Sequence, residues 1–265
     1  MAGDQWVRSL GLDTDGRLFV EIENGIRLYD ICLDTPLPQA VTLYPGDLME
    51  PGNRRLYYRY LSTLNEIEGI MFRPSYDAGW RIREGDIVVD AGARIGTFTA
   101  KITAAVGEKG RIIAVEPEPR NYACLLKNIE TNRWNNVIPV RKMLWSRRRS
   151  LPLYLSGNAS AHSAFRDGFY SPTGESVLVK ADTLDDILEG LGVESARFIK
   201  MDIEGSEIEA LRGMTRTLRS VAQLSVAAYH PVEGKLAHTV VVPYLENLGF
   251  KSTYADGLVT ASAIL

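Results

Sequence analysis

The sequence predicts an α/β protein: a parallel sheet with helices on both faces. Three observations point there. From residue 86 short apolar runs alternate with helical patterns, DIVVDAG then IGTFTAKITAAV, RIIAVEP then PRNYACLLKNIETN, at the spacing of strand–helix–strand units. Asp90, Gly92 and Gly96 mark a strand-to-helix turn in DIVVDAGARIGTFT. Glycines there let the backbone approach a ligand, and the helix start offers unpaired N–H groups. The 265 residues are 45% apolar and 24% charged, an ordinary globular composition with ample material for a core.

In chain order, residues 1–80 read as a cap and 81–265 as the main domain. RLFVEIENGIRLYDI, residues 17–31, alternates in the strand manner about Asn24-Gly25, a hairpin signal. Residues 36–53 hold four prolines and read as an irregular connection. RRLYYRYLSTLNEI, residues 54–67, is helical, with Leu56, Tyr60, Leu64 and Ile67 on one face. Past the first two strand–helix units, NVIPVRK is a third strand. Residues 144–176 are polar, Gly-rich and irregular apart from the strand-like LPLYL. VLVKADTLDDIL and FIKMDIEGSEIEAL each run from strand into helix, AQLSVAAYH is a strand, and a helix surrounds VVVPYLENL. Residues 250–264 close the chain with two strands about Asp256-Gly257.

Net charge is -3 and the pI about 5.7, without the basic balance of a nucleic-acid binder. Cys32 and Cys124 match no metal or redox spacing, so free thiols in a reducing cytoplasm are expected. MAGDQWVRSLGLDTDG has acids where a signal peptide needs an apolar run, and no membrane span is expected. In a cytoplasmic protein the triplet Asn158-Ala159-Ser160 carries no glycan.

FIKMDIEGSEIEAL places Lys200, Asp202 and Glu204 at alternate positions, hence on one side of a strand, opposite Met201 and Ile203. A cation and two acids there are costly unless paired or functional. Ser206 and Glu209 have the spacing of a capping box that starts the following helix. Ligands of open α/β sheets lie beyond the carboxyl ends of the strands, so Asp202, Glu204 and, after the next strand, Tyr229 and His230 fall at the mouth of one crevice. His230 is expected to take a proton as a neutral imidazole. Glu116 ends the second strand, where an acid can hold both hydroxyls of a ribose. A dinucleotide fingerprint wants G-x-G-x-x-G with a diphosphate on the turn, whereas the strand here ends in Asp90. That charge favours S-adenosyl-L-methionine, which carries a sulfonium and no phosphate.

DIVVDAGARIGTFT, IIAVEPEPRNYACLLKNIETN, ADTLDDIL, FIKMDIEGSEIEALRGM and AAYHP occur in an order and spacing that resembles the FkbM-type S-adenosylmethionine-dependent methyltransferases, over about residues 80–250. The resemblance implies the Rossmann-like class I methyltransferase fold, seven strands with the last antiparallel, and methylation of hydroxyls on sugars, glycolipids or secondary metabolites. It assigns Asp90, Gly92, Ala93 and Gly96 to the methionine end of the cofactor, and Glu116 with the adjoining Pro117 to the ribose. Lys142, Met143 and Leu144 fall near the adenine, and Lys200, Asp202, Glu204 and His230 at the methyl-transfer end. Arg94 stands where members commonly carry Asn, a cation that either binds the cofactor's carboxylate or points to solvent.

A metal is not expected: the catechol-type arrangement wants an Asp-Asn pair after the fifth strand, and Tyr229-His230 stands there. RNA is the rival substrate, through Arg141, Lys142, Arg147, Arg148 and Arg149 with Trp134 and Trp145 nearby for stacking. A small-molecule or glycan acceptor is the expected partner, walled by residues 1–80 and 144–176.

Overall fold

A computed structural model of the chain describes residues 6–32, 41–42, 54–72, 75–156, 161–166, 172–232 and 234–264. The N-terminal layer is more than a hairpin. Strands β1 (Val7–Leu12), β2 (Arg17–Ile22), β3 (Arg27–Cys32) and β4 (Val41–Thr42) form an antiparallel sheet in the order β3-β2-β1-β4. The turn between β2 and β3 uses Gly25 at φ +85, as the Asn-Gly signal requires. The β1 strand escaped the pattern because it buries three consecutive residues, Leu10 to Leu12, instead of alternating. Helix α1 (Arg54–Ile67) follows and ends in a π turn over Glu68–Phe72. Leu64 and Ile67 are buried and Tyr60 half-buried, as expected; the Leu56 side chain, most of 36–53 and Asn158–Ser160 lie outside what is described.

The main domain runs β5 (Ile87–Ala91), α2 (Thr97–Val106), β6 (Arg111–Val115), α3 (Pro119–Asn132) and β7 (Val137–Val140). Next come β8 (Met143–Leu144), β9 (Arg149–Ser156), β10 (Pro172–Asp182) and α4 (Leu184–Gly190). Then follow β11 (Phe198–Met201), α5 (Glu207–Arg212), β12 (Gln223–Ala227) and a short ribbon of β13 (Pro231–Val232) and β14 (Lys235–Leu236). The chain closes with α6 (His238–Asn247), β15 (Phe250–Ala255) and β16 (Leu258–Ala263).

Seven strands form the central sheet in the order β15-β16-β12-β11-β5-β6-β7. Only β16 runs against the rest, antiparallel to both β12 and β15. The period of two divides each central strand between two cores. Val88, Ile112 and Phe198 pack toward α2, α3 and the N-terminal layer, while Val89, Ile113 and Ile199 pack toward α4, α5 and α6; all six are fully buried. At about 1.5–3 kcal/mol for each buried side chain of this size, these floors hold the strand ends in place.

Two elements differ from expectation. VLVKAD is not a central strand: β10 pairs with β8 and β9 in a separate three-stranded sheet. Within this run Leu178 is 76% exposed, while Val179, Ala181 and Asp182 are buried. Residues 144–176 therefore hold an ordered sheet rather than one isolated strand. The capping box does not form either. Ser206 makes no side-chain cap, and Glu209 turns to Ser146 and Arg212.

Candidate active site

The crevice lies between β5 and β11, parallel neighbours whose chains leave in opposite directions along the sheet, the position where such folds take ligands. The strand ends meet closely. Asp202 N–H donates to the Ala91 carbonyl at 3.0 Å, and a Cβ on Gly92 would collide with the carbonyl oxygen of Asp202. Gly92 also sits at φ +76, so glycine is required twice over.

Two clefts open from this point and share Gly92, Arg94, Asp202 and Glu204. The first encloses about 570 Å³ and is lined by Glu116, Pro117, Lys142, Met143 and Leu144, with Leu153, His162 and Ala164 as its outer wall. The second, about 870 Å³, is lined by Ser62, Asn65 and Glu66 of α1, by Ala93 and Thr97, and by Tyr76, Lys200 and Tyr229. The two segments expected to wall one acceptor pocket line different clefts, residues of 144–176 the first and residues of 1–80 the second.

Glu116 is buried, and its carboxylate accepts from the backbone N–H groups of Arg94 and Glu118, each at 2.9 Å. Burial raises its pKa to about 7, against the opposing effect of those two donors. Lys142 is anchored by Asp182 at 2.7 Å.

The cation and acid of β11 and β5 answer each other. Lys200 and Asp90 are register partners on neighbouring strands, and Nζ lies 3.1 Å from the Asp90 carboxylate. Nζ also reaches the carbonyls of Gly92 at 2.7 Å and Ala91 at 3.3 Å, while Thr99 donates to Asp90. Lys200 thus braces the glycine turn instead of serving as a catalytic group. Asp90 and Gly96 line neither cleft. Asp90 is the buried counter-charge of Lys200, and Gly96 makes room for Leu125 of α3. The charge argument that rested on Asp90 therefore passes to Glu116, Asp202 and Glu204, which line the clefts.

Arg94 neither points to solvent nor waits for a carboxylate. Its backbone is at φ +51, the left-handed region that Asn tolerates well. The guanidinium is buried between Glu66 of α1 and Asp30 of β3, the latter at 3.1 Å. Thr63 donates to Asp30 and Thr97 to Glu66. Burial opposes the charge, but the two acids raise the pKa and hold it ionised.

Beyond β11 the chain bends through Glu204 at φ +55 and Gly205 at φ +96. The Ser163 hydroxyl donates to the Glu204 carbonyl at 2.7 Å. His230, 1% exposed, lies behind the crevice floor. Its Nε2 is 3.2 Å from Glu204 and 3.9 Å from Asp202, and its Nδ1 is 3.3 Å from Glu207. Burial alone lowers the proton affinity of the ring, but its contacts with Glu204 and Glu207 outweigh this and bring the pKa up to about 10. His230 is therefore an imidazolium at neutral pH, not the neutral base that was expected. Glu204 is raised by burial, with His230 opposing and the charges of Asp202 and Glu207 adding to the rise. Asp202 accepts from the Tyr76 hydroxyl at 2.6 Å. One ligand-type atom each of Asp202, Glu204 and His230 lies within 4.8 Å of the others.

Of the five basic residues in the patch, Arg141, Arg147 and Arg149 are exposed and two are paired. Lys142 and Arg148 both pair with Asp182, Trp134 is buried, and Trp145 packs against Phe165. Sequence reasoning missed Glu207, Tyr76, Asp30 and Glu66. The only available signal was for Glu207: an acid at the first position of a short helix, one residue past the proposed cap.

A family model described as the methyltransferase FkbM domain matches residues 90–252. The hexuronic acid methyltransferase AglP of Haloferax volcanii is 29% identical, with 57% of this chain and 59% of that protein covered. The 31-O-demethyl-FK506 methyltransferase FkbM of Streptomyces tacrolimicus is 27% identical, over 65% of this chain and 75% of that one. The crystal structure of a methyltransferase FkbM from Methylobacillus flagellatus superposes with a TM-score of 0.50 at 20% identity, covering 72% of this chain and 48% of that chain. The chain thus spans about 59% of the length of the first curated relative and under half of that solved chain.

Proposed function

The chain belongs to the methyltransferase FkbM domain family, and from this we propose that it moves a methyl group from S-adenosyl-L-methionine to a hydroxyl of a small-molecule or glycan acceptor. The observation that carries the reading is the meeting of two clefts at Asp202 and Glu204, one fitted to a nucleoside and one walled by polar and aromatic side chains. The residues suit that cofactor. Glu116 offers a buried carboxylate for ribose hydroxyls, Met143 and Leu144 an apolar slot for a base, and the acidic rim a match for a sulfonium. Both curated relatives are named as methyltransferases of oxygen-rich molecules, a hexuronic acid and a 31-O-demethyl compound.

The cofactor supplies a methyl carbon already activated for displacement. The chain's own task is alignment and removal of a proton, and alignment is the larger share. Glu204 opens to both clefts and is the proton acceptor; burial makes it a stronger base than an ordinary carboxylate. With a methyl donor held in the clefts, Glu204 would accept the proton that the acceptor hydroxyl gives up on methylation. His230, charged beneath it, keeps Glu204 ionised beside Asp202 and Glu207. With His230 charged among the carboxylates, turnover is expected to persist under exhaustive chelation, and its loss would assign Asp202, Glu204 and His230 to a metal ion instead.

The test pairs calorimetry with an assay. S-adenosylhomocysteine is expected to bind at micromolar concentration or tighter, and labelled methyl groups to enter an alkali-stable ether in fractionated small molecules or glycans. Absence of heat with the thioether overturns the reading. Label entering RNA instead overturns the acceptor class, which the neutralised Lys142 and Arg148 and the buried Trp134 argue against.

A further inference from the structure

Glu207, like Asp90, is an acid enclosed beside the crevice. It is fully buried at the start of α5. Its Oε1 accepts from the backbone N–H groups of Gly205 at 3.1 Å and Ile203 at 3.3 Å. The same oxygen lies 3.3 Å from Nδ1 of His230. One carboxylate therefore shapes the turn that carries Glu204 and also grips the ring facing Glu204 from behind. A glutamate at a helix start needs no such enclosure: the favourable contact with the helix N-terminus is available at the surface. A buried anion is retained only against a matching charge.

We propose that Glu207 is a positioning residue for the transfer step: it fixes the His230 ring by Nδ1 and holds it charged, so that Nε2 keeps Glu204 ionised and aimed at the acceptor hydroxyl. The proposal rests on the methyl-transfer reading and deepens it. The logic is that of any base oriented by a second carboxylate, with the order changed. Here the outer carboxylate accepts the proton, the imidazolium between stays protonated, and the inner carboxylate balances the charge. Every group facing the ring is consistent with this. Asp202 and Glu204 approach from beyond β11, Glu207 from α5, and the Tyr229 ring lies 4.2 Å away, centroid to centroid. The nearest buried cation, Lys200, is spent on Asp90.

Without the inner charge, the ring loses its proton at lower pH, and Glu204 is left among acids with no cation beside it. Glu207→Gln keeps an oxygen for the two backbone donors and removes only the charge. Its expected signature is a fall of the His230 titration midpoint by more than one pH unit, read by NMR of the imidazole nitrogens. The alkaline limb of kcat should move down with it, while the KM for the methyl donor changes by less than about threefold. Glu207→Asp, which retains the charge one methylene further away, is expected to restore part of both shifts. A merely structural role lowers the melting temperature and leaves both midpoints in place, which overturns the proposal.

Should the glutamine variant not fold, the parent chain decides. Both ring nitrogens of His230 must be protonated at pH 8, and a neutral tautomer there overturns the assignment. The His230 titration needs no acceptor, so calorimetric loss of S-adenosylhomocysteine binding with an intact His230 titration refutes the methyl-transfer reading alone.

Discussion

Glu204 takes a left-handed backbone conformation, faces both clefts and touches an imidazolium, three conditions that no other acid of the crevice meets together. Its replacement by Gln should lower turnover by about 10²–10⁴-fold, the usual worth of a placed base. Affinity for S-adenosylhomocysteine should stay within a few-fold, which calorimetry on the same sample checks. Glu116 makes the complementary case. Ribose hydroxyls bond best to its charged form, and its pKa is raised to about 7. Affinity for the thioether is therefore expected to fall below pH 7, approaching about tenfold per pH unit. In Glu116→Gln it should be weaker throughout and flat with pH. At this scale the sequence was readable where chemistry follows from strand ends: Glu116, Asp202 and Glu204 line the clefts, whereas His230, expected at the mouth, is buried behind the floor. It was unreadable where a charge is cancelled by a partner distant in the chain. Lys200 and Asp90 share a face of adjacent strands, a register that no single strand reveals, so a structural pair passed for machinery.

Among the elements, the turn after β5 and the layer before it have to be considered together. Gly92→Ala meets both a positive φ and the Asp202 carbonyl. Something must shift at the β5–β11 junction, and loss of cofactor binding together with a lower melting temperature is expected. Asp30, Arg94 and Glu66 join β3, the glycine turn and α1 inside the protein. Removing one partner of such a pair strands the other, at a cost of about 3–5 kcal/mol. Urea unfolding of Asp30→Ala should show that loss, and the double change with Arg94→Asn should recover part of it, because Asn accepts the left-handed backbone and leaves no charge behind. Helices α1 and α3 were legible to their end residues, since both combine an apolar stripe with clear stops. Strand β10 was legible as a strand, but not its sheet, because an apolar run does not say which strands it joins.

For the whole molecule, the pH dependence of stability follows from the same buried groups. His230 has its pKa raised from near 6.5 when unfolded to about 10 when folded. Between those values the folded chain binds the extra proton, so its contribution is complete below about pH 6.5 and is lost as pH rises through about 10. Melting temperatures should decline across that window, and His230→Gln should flatten the decline. Glu116 adds a second loss as pH rises from about 4.5 to 7, because burial favours its protonated form. Fold class was the most legible feature of all. Alternating apolar runs and helical stripes demand a covered parallel sheet, whichever residues decorate it.

The knot of Asp30, Glu66 and Arg94 also limits how such a chain can change. A transplanted front wall, brought in from a relative to accept a different alcohol, would arrive without the two anions that Arg94 requires. A change at 30 or 66 is therefore expected to need a matching change at 94, which ties the front wall to the glycine turn.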